Sequence, residues 1–412
     1  MATVRAFRAI RPTKEHAENV VSLPYDVMSR EEAARMVSDD KNLFLKISRA
    51  EIDLANNINP YSNEVYQKSK ETLNSFISEG VMICEQKPVI YIYRLIMDGR
   101  VQTGVTACVS IDEYENDIIK KHELTLVEKE IDRINHFDVC NANTEPIFLT
   151  YKHDKRISTL IEGFISGNEA EYDFTLDDGI RHILWVVSDE TLINSICGLF
   201  KEVKNLYIAD GHHRSASAYK VGVKRREQNP GYTGDEEFNF FMSVIFPDSD
   251  LKIYSYNRVV KDLNGNTPEQ FIEKIKEAGI KVELKKEAYT PEKKHTFGMY
   301  VAGKWYKLTV NDDMIADDVI ESLDVSLLQN KILAPILGVE DPRTDERIAF
   351  VGGIRGLSEL EVRANTDMKV AFAVYPADIS DLIDVSDKNK IMPPKSTWFE
   401  PKLGSGLFVH QL

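Results

Sequence analysis

The sequence has few cysteines, and no two of them form a Cys-x-x-Cys pair. They are scattered over the 412 residues, at Cys84, Cys108, Cys140 and Cys197. Zinc knuckles and redox dithiols both need thiolates at close spacing, so the sequence indicates neither. We expect these four residues to be reduced thiols with a structural role.

Long hydrophobic runs are also missing. No stretch approaches the roughly 20 apolar residues that a membrane span requires. The segment from Met1 to Phe7 lacks the apolar core of a signal peptide. No low-complexity tract occurs, and 43% of the residues are apolar, which is enough to build hydrophobic cores. The sequence therefore predicts a cytoplasmic protein that is ordered almost throughout and has no membrane contact.

An excess of positive charge is absent as well. The formal net charge of −15 would repel a nucleic-acid backbone unless a local basic patch offset it. The one dense basic group, Lys220 with Lys224, Arg225 and Arg226, is short. Cations of this kind suit the C-terminal end of a helix. We expect no nucleic-acid partner.

The predicted elements indicate a mixed α/β fold. Two β-rich runs, Pro88 to Met97 and Val101 to Ile111, flank Asp98-Gly99-Arg100, which is typical of a hairpin turn. Ser29 followed by Glu32 predicts a capping box at the start of a helix. Strand and helix patterns alternate in this way along the whole chain.

The length exceeds what one hydrophobic core normally organises, so we predict subdomains. A mixed α/β region is expected over 1–115, followed by a core over 116–260. An α/β subdomain is expected over 261–412, with an irregular tail that returns to the site. Within it, Thr267-Pro268 predicts a helix start, Gly279 its end, and residues 318–331 a further helix.

The segment from Leu126 to Asn141 has the spacing of an amphipathic helix. Ile131, Ile134 and Phe137 recur on one side at helical steps, which predicts the buried face. A second face carries Lys129, Asp132, Arg133 and His136. This polar face is either solvated or part of a functional site.

The strongest candidate site is Asp210-Gly211-His212-His213-Arg214. A predicted strand over Asn205 to Ala209 runs into it, and a predicted helix follows from about His213 to Glu227. Gly211 permits a tight turn, and the amides and dipole of a helix start attract an anion. Arg214 and the imidazoles add donors for phosphate oxygens. We interpret the segment as a phosphate-handling loop, with Asp210 orienting a histidine or holding Mg²⁺.

Three segments resemble a known bacterial family, the domain-of-unknown-function family 1015. They are Tyr207 to Ala216, Lys121-His122-Glu123-Leu124-Thr125, and Met392 to Thr397, so the resemblance covers the whole chain. Through the Asp210–Arg214 loop that family is similar to the free-serine kinases of the ParB and sulfiredoxin superfamily. The resemblance implies a ParB/sulfiredoxin-like core with added α/β subdomains. It also implies a cytoplasmic kinase that converts free L-serine to O-phospho-L-serine.

Phosphoryl transfer to an alcohol needs a carboxylate near the attacking hydroxyl and cations around the transferred group. Glu123 suits the first role. Asp26, in a Pro-Tyr-Asp turn that resembles the family's N-terminal motif, binds the substrate amine or a metal, or only caps the Ser29 turn. Where we expect a histidine in a Tyr-His-Arg motif of the family, this chain has Tyr256-Asn257-Arg258, so only Arg258 is kept there, as an anion ligand.

The tail segment Pro394-Lys395-Ser396-Thr397 is similar to the end of a Walker A loop, but the upstream Gly-x-x-x-x-Gly is missing, so an ordinary P-loop is excluded. Lys395 and Lys402 remain candidates that return to bind phosphate. The candidate residues form three sets: catalytic Glu123, Asp210, His212 and His213; donor-binding Gly211, His213, Arg214, Lys395, Ser396 and Thr397; and substrate-binding Asp26, His122, Lys129, Arg133 and His136. Asp210 is also the candidate Mg²⁺ ligand.

The sequence does not distinguish ATP, ADP and pyrophosphate as the phosphoryl donor, and it leaves open whether the chain forms a homodimer. A metal-dependent hydrolase is one alternative, because His122, Glu123, Asp210, His212 and His213 suit a transition metal. A ParB-like nucleotide-binding protein is another, although the acidic charge disfavours it. A sulfiredoxin-like enzyme would need a cysteine in the loop, and the loop has none.

Overall fold

The computed structural model describes residues 1–37, 41 and 43–412. The strands are β1 Val4–Arg5, β2 Ala9–Pro12, β3 Met82–Cys84, β4 Ile90–Met97, β5 Arg100–Ser110, β6 Ile119–Lys120, β7 Ala142–Asn143, β8 Ile147–Tyr151, β9 Tyr172–Thr175, β10 Arg181–Val187, β11 Leu206–Asp210, β12 Phe240–Pro247, β13 Ile253–Tyr254, β14 Tyr256–Val260, β15 Lys281–Lys285, β16 Thr296–Val301, β17 Lys304–Thr309, β18 Ile348–Gly352, β19 Val370–Val374, β20 Trp398–Phe399 and β21 Val409–Gln411.

The helices are α1 Ala17–Val20, α2 Arg30–Met36, α3 Leu45–Ser48, α4 Asn63–Ser78, α5 Ile111–Glu115, α6 Val127–Cys140, α7 Lys155–Gly167, α8 Glu190–Phe200, α9 His212–Gln228, α10 Pro268–Glu277, α11 Asp324–Leu328, α12 Gly356–Thr366 and α13 Ile379–Asp387. The mixture of helices and mixed sheets confirms the predicted α/β class. Within the described ranges, no helix is both long and apolar enough to cross a bilayer.

The chain divides into two compact units. Unit 1 comprises Met1–Lys121, Thr125–Leu251 and Pro401–Leu412, and unit 2 comprises His122–Leu124 and Lys252–Glu400. The chain thus leaves unit 1 briefly over His122–Leu124, and again over Lys252–Glu400. The division at 115 and 260 stays a prediction, although strands from both sides of residue 115 share one sheet, since β5 pairs with β12.

Unit 1 is built on a mixed sheet in the order β6-β11-β8-β12-β5-β4-β10-β9, with β1 beside β5. The predicted hairpin is confirmed as β4 and β5, in which Met97 pairs with Arg100. Asp98 and Gly99 have φ of 51° and 77°, as the favoured two-residue hairpin turn requires. β11 lies between β6 and β8, which fixes where its carboxyl end and Asp210 emerge.

A second, four-stranded sheet in unit 1 has the order β3-β2-β21-β7. The prediction of an irregular tail is therefore wrong for Val409–Gln411, which lies between two partner strands. Leu407, Phe408 and Val409 are fully buried. The alternation of apolar and polar residues in the tail is too short to be recognised as a strand in the sequence alone. Pairing with strands that are distant in the sequence decides its conformation.

Gly406 is the tightest point of this tail. It has φ of +93°, and a Cβ there would lie 2.6 Å from Cγ of Phe44. We expect Gly406→Ala to lower the free energy of unfolding by about 2–4 kcal/mol, from left-handed backbone strain and overpacking together. Thermal unfolding measures this, with exposed Gly231, which has no such neighbour, as the control for Gly231→Ala. Equal melting temperatures for the two variants would contradict the packing described.

Helices α6 and α9 pack side by side in unit 1. Small buried residues of α9 permit the close approach of other segments, and a Cβ on Gly222 would lie 2.4 Å from the carbonyl of Phe238. The basic residues of α9 are paired: Lys220 with Glu130, Lys224 and Arg225 with Asp138, and Arg226 with Asp112. The short basic run thus ties helices together.

Unit 2 is built on an antiparallel sheet in the order β15-β17-β16-β19-β14-β18. The predicted start of α10 is confirmed, because Thr267 and Gln270 form a capping box and Pro268 occupies the first turn. Gly279, with φ of +82°, follows its end. The helix predicted over 318–331 is shorter: α11 begins only at Asp324 and continues as a π-helical turn over Gln329–Leu333.

Asp324 of unit 2 is buried, and burial raises the pKa of its carboxyl to about 7, although the Lys294 charge and the amide of His295, which donates to Oδ1 at 2.7 Å, oppose this. Between about pH 4 and pH 7 the folded state then keeps a proton that the unfolded state loses. The free energy of unfolding should therefore fall as pH rises through this range, by up to about 4 kcal/mol, and level off above it.

Asp324→Asn keeps the acceptor for the His295 amide and should remove this slope. Denaturant unfolding at several pH values can be followed by tryptophan fluorescence, since Trp305 and Trp398 belong to unit 2. The exposed Asp317→Asn is the matched control. If the pH dependence of Asp324→Asn paralleled that of the wild type, the raised pKa would be disproved.

Candidate functional site

The Asp210–Arg214 segment is a strand-to-helix junction in unit 1. β11 ends at Asp210, Gly211 is the N-cap of α9 with φ of 96°, and α9 is 17 residues long. A Cβ on Gly211 would lie 3.2 Å from the guanidinium of Arg214, so glycine serves both the backbone angle and the packing. The first amides of a helix have no acceptor within the helix, and in α9 these include the amides of His212, His213 and Arg214.

Asp210 forms an ion pair with Lys402, whose Nζ lies 3.0 Å from Oδ2. Burial alone would raise the pKa of Asp210, but the charges of Lys402 and Arg214 hold it well below its usual range. Asp210 is thus ionised at all ordinary pH values. The prediction that Lys402 returns to this loop agrees with its position, and its contact there is with the carboxylate.

Arg214 is buried, and its Nη1 donates to the carbonyl of Pro146. Burial would lower the pKa of its guanidinium, but the negative charges of Asp26, Glu145 and Asp210 raise it instead. Arg214 is therefore a fixed cation that balances several carboxylates. Its role as a ligand for donor phosphate stays a prediction.

The two histidines of the loop differ in their surroundings. His212 is buried, whereas His213 is partly exposed. Nε2 of His213 accepts a hydrogen bond from the amide of Leu126 at 3.0 Å. That contact assigns the ring proton to Nδ1 and ties the start of α6 to the loop. Only Nδ1 of His213 then carries a proton to donate, and the prediction that this ring donates to a phosphate stays a prediction for that nitrogen alone.

Helix α6 turns its charged face inward, so the prediction that Ile131 lies on the buried face is wrong. Ile131 is 53% exposed, while Asp132, Arg133 and His136 are buried. Lys129 lies on the exposed side and donates to the hydroxyl of Tyr61 at 2.9 Å. The structure therefore places Arg133 and His136 inside unit 1 and Lys129 at its surface.

The Pro24-Tyr25-Asp26 turn is held in unit 1 by Arg49, whose Nη1 donates to the carbonyls of Tyr25 at 3.0 Å and Met28 at 3.1 Å. Tyr25 is buried and Asp26 is exposed. The predicted capping box of α2 is confirmed, and Ser29 with Glu32 forms it. The role of Asp26, as a ligand for the substrate amine or a metal or as a cap of the turn, stays a prediction.

Unit 2 brings the His122 segment and the tail together. The carbonyl of His122 accepts from the amide of Met392 at 2.8 Å, and its Nε2 lies 3.3 Å from the hydroxyl of Thr397. Ser396 donates to the carbonyl of Pro393 at 2.6 Å. Glu123 is partly exposed. Two of the segments that carry the family resemblance are thus neighbours in this unit, although they are far apart in the sequence.

Arg258 holds the tail in place at Lys395. It is buried, donates to the carbonyl of Lys395 at 3.0 Å, and lies over the ring of Phe350. Burial lowers the pKa of Arg258 to about 10. Its donation to a backbone carbonyl argues against the expected role as an anion ligand. Lys395 itself is exposed and has φ of 56°, an uncommon angle for a residue other than glycine, and its Nζ lies 5.7 Å from the centre of the Tyr256 ring.

The family model described as "Protein of unknown function (DUF1015)" matches residues 4–326. The chain belongs to this family. The matched range contains the Pro24-Tyr25-Asp26 turn, the His122 segment and the Asp210–Arg214 loop, and it ends before the tail at 392–397. The predicted resemblance is thus confirmed over 4–326, and the finer assignment to the ParB and sulfiredoxin superfamily stays a prediction.

Three solved structures are similar to this DUF1015 chain at low identity. A free serine kinase in complex with AMP is 14% identical, with 71% of this chain and 86% of that chain covered and a TM-score of 0.37. SbnI with a C-terminal truncation, from Staphylococcus aureus, is 11% identical, with 73% and 85% covered and a TM-score of 0.38. A conserved hypothetical protein from Pyrococcus furiosus is 16% identical, with 73% and 95% covered and a TM-score of 0.35. At these TM-scores the likeness carries no conclusion about chemistry. No curated protein matches the chain.

Sequence reasoning missed Glu145, which lies just before β8. Glu145 is 1% exposed, and its Oε1 accepts from the hydroxyl of Ser405 at 3.0 Å and from the amide of Tyr25 at 3.4 Å. Burial raises the pKa of Glu145, and the charges of Arg214 and Arg133 oppose this. The only sequence signal was a carboxylate directly before the apolar strand that begins at Ile147, in the segment Thr144-Glu145-Pro146.

The predicted Mg²⁺ ligand, Asp210, already has a cationic partner. Mg²⁺ prefers oxygen ligands and keeps several of its waters. An ion at Oδ2 of Asp210 would have to displace the ammonium of Lys402, which lies 3.0 Å away. The residues of unit 1 therefore fit a Mg²⁺ ion that arrives with donor phosphates better than a tightly held resident ion.

Proposed function

We propose that this protein is a phosphotransferase that phosphorylates the hydroxyl of a small metabolite, with free L-serine as the acceptor. The observation that carries the proposal is the start of α9 in unit 1. The N-terminal amides of this helix, buried Arg214 and the Asp210–Lys402 ion pair lie next to one another there. A fixed cation, an exchangeable ammonium and a helix dipole together favour a multiply charged anion such as a terminal phosphate.

In this proposal the donor phosphates bind the amides of residues 211–214, the Nδ1–H of His213 and the guanidinium of Arg214. Lys402 would bind a phosphate oxygen, and Asp210 would hold a donor-bound Mg²⁺, which would neutralise charge on the donor phosphates. Lys395, Ser396 and Thr397 keep their predicted role as further donor-phosphate residues. The acceptor is bound by residues of the buried α6 face.

The reaction balances without a redox partner. The hydroxyl oxygen of serine attacks the terminal phosphorus, the bond from phosphorus to the leaving phosphate oxygen breaks, and the hydroxyl proton passes to a carboxylate. We assign Glu123 to that last role. The products are O-phospho-L-serine and the donor shortened by one phosphate.

The deciding experiment is a matrix of donors against free amino acids, with products identified by mass spectrometry. ATP, ADP and pyrophosphate are each tested with Mg²⁺, and O-phosphoserine is expected with at least one of them. Metal analysis of the purified protein runs in parallel. Stoichiometric, tightly bound zinc or iron together with no phosphorylated product would overturn the proposal in favour of a metal-dependent hydrolase.

A further inference from the structure

Two buried charged side chains of unit 1 each keep one polar atom without a hydrogen-bond partner. They are Arg133, through Nη1, and Glu145, through Oε2, and no partner for either atom occurs among the residues that the structure describes. Arg133 is 5% exposed and Glu145 is 1% exposed. A buried polar atom of a charged group that lacks a hydrogen bond is costly, so each such atom in a native protein needs an explanation.

Both side chains are held in place by other residues. Nε and Nη2 of Arg133 donate to Oδ2 of Asp132 at 2.9 and 2.8 Å, and the hydroxyl of Tyr66 donates to Oδ1 of Asp132 at 3.0 Å. Oε1 of Glu145 accepts from Ser405 and from the amide of Tyr25. Each residue thus uses one side for its support and keeps the other side available, which is the arrangement expected of a preorganised binding site.

Tyr25 lies between the two groups. The guanidinium of Arg133 lies 4.0 Å from the centre of the Tyr25 ring, and the Tyr25 amide contacts Glu145. A second link runs from α6 through His136, whose Nε2 lies 3.2 Å from the hydroxyl of Thr144, next to Glu145. A buried cationic donor and a buried anionic acceptor accordingly contact the same residue, Tyr25.

We propose that Arg133 and Glu145 form the binding site for a zwitterionic α-amino acid, with the ligand carboxylate on Nη1 of Arg133 and its ammonium on Oε2 of Glu145. A simple anion would accept a hydrogen bond from Nη1 of Arg133 and leave Oε2 of Glu145 without a donor. A simple cation would do the reverse. A divalent cation is disfavoured by the neighbouring guanidinium groups of Arg133 and Arg214. The zwitterion supplies both charges in one small molecule.

This inference rests on the proposed function in one respect, because it takes the bound amino acid to be the acceptor of the phosphoryl group. Binding itself needs no donor and no chemistry. It can therefore be measured on the full chain by calorimetry, in the absence of any nucleotide, and the two ideas can fail separately.

The probes are L-serine, L-alanine, ethanolamine and 3-hydroxypropanoate. L-alanine keeps both charges and lacks the hydroxyl, ethanolamine lacks the carboxylate, and 3-hydroxypropanoate lacks the ammonium. L-serine and L-alanine should both bind, and each of the other two should bind about 10–100-fold more weakly than L-serine, as the loss of one charge-assisted contact implies. Equal affinity of all four, or no binding of either amino acid, would overturn the proposal and leave the two atoms to ordered water.

Two variants locate the site. Glu145→Gln keeps the acceptor for Ser405. It should weaken the binding of L-serine and leave the affinity for 3-hydroxypropanoate unchanged. Arg133→Lys should weaken the binding of L-serine and leave the affinity for ethanolamine unchanged. Glu162→Gln, on an exposed carboxylate paired with Arg94, is the matched control and should bind all probes as the wild type does. Thermal melts of the variants identify any loss of folding, and in that case the wild-type probe series alone decides.

The outcomes separate the two proposals. Amino-acid binding that depends on Arg133 and Glu145, without phosphoryl transfer from any donor, supports the binding site and removes the kinase. Serine phosphorylation with an unchanged KM for serine in both variants supports the kinase and removes this site.

Discussion

Arg214→Ala is expected to abolish phosphoryl transfer and to destabilise unit 1 at the same time. The guanidinium is buried and faces the charges of Asp26, Glu145 and Asp210, which all raise its pKa. Removing one member of a buried charge group leaves the others uncompensated, at a cost of about 3–5 kcal/mol. The sequence alone would predict an exposed helix-start residue whose loss leaves the fold intact, and the burial of Arg214 changes that expectation.

Arg214→Lys separates the two effects, because lysine keeps the charge but loses the planar donor arrangement. We expect this variant to fold and to bind the donor more weakly by about 1.5–3 kcal/mol. Donor affinity from calorimetry, kcat, and a thermal melt are measured together. Arg156→Ala is the control, since Arg156 is a solvated residue paired with Asp154 and Glu202. Unaltered turnover in both Arg214 variants would remove Arg214 from the site.

Local signals predicted the parts of the fold that are decided locally. Asp98-Gly99 has the backbone angles of a hairpin turn whatever surrounds it, and the capping boxes at Ser29 and Thr267 satisfy amides within three residues of themselves. The Asp210–Arg214 loop was predicted for the same reason, because Gly211 and the following helix start are adjacent in the chain. The strand, the turn and the helix start are therefore visible in the sequence, whereas the contact of Lys402 with the Asp210 carboxylate, rather than with a phosphate, is not.

Helix α6 shows where periodicity fails. A hydrophobic pattern assumes that apolar residues face inward, which would bury Ile131. The helix instead buries Asp132, Arg133 and His136, and residues of other segments contact two of them, since Tyr66 donates to Asp132 and Thr144 lies beside His136. A buried charged face can be recognised only once those partners are known.

Glu145 and Ser405 could not be predicted for a related reason. Their hydrogen bond joins residues 260 positions apart. Ser405 reaches Glu145 because β21 inserts between β2 and β7, and nothing in the tail sequence specifies that pairing. The polar contacts inside unit 1 thus depend on pairing between segments that are far apart in the sequence. The two atoms of Arg133 and Glu145 that lack a hydrogen-bond partner lie in this interior, so they could not be predicted either.

Glu123→Gln is the substitution for which the two interpretations of the sequence differ most. If Glu123 accepts the hydroxyl proton of serine, the amide keeps the size and polarity but cannot take a proton. Turnover should then fall by about 10²–10⁴, as the loss of a general base implies. Donor affinity should stay near that of the wild type, because the donor contacts assigned above do not include this carboxylate.

A purely solvated Glu123 would behave otherwise. Its side chain is partly exposed, so its replacement would change stability by at most about 1 kcal/mol and leave turnover nearly unchanged. The measurement is kcat with serine at saturating donor, with a thermal melt alongside and exposed Glu128→Gln as the control. Glu123→Asp tests the role from the other side, because it keeps the base at shorter reach and should retain part of the rate that Glu123→Gln loses. Turnover of Glu123→Gln within a fewfold of the wild type would pass the base role to Asp210 or Asp26. The charges of Lys402 and Arg214 hold the pKa of Asp210 well below its usual range, which makes its carboxylate a weak base.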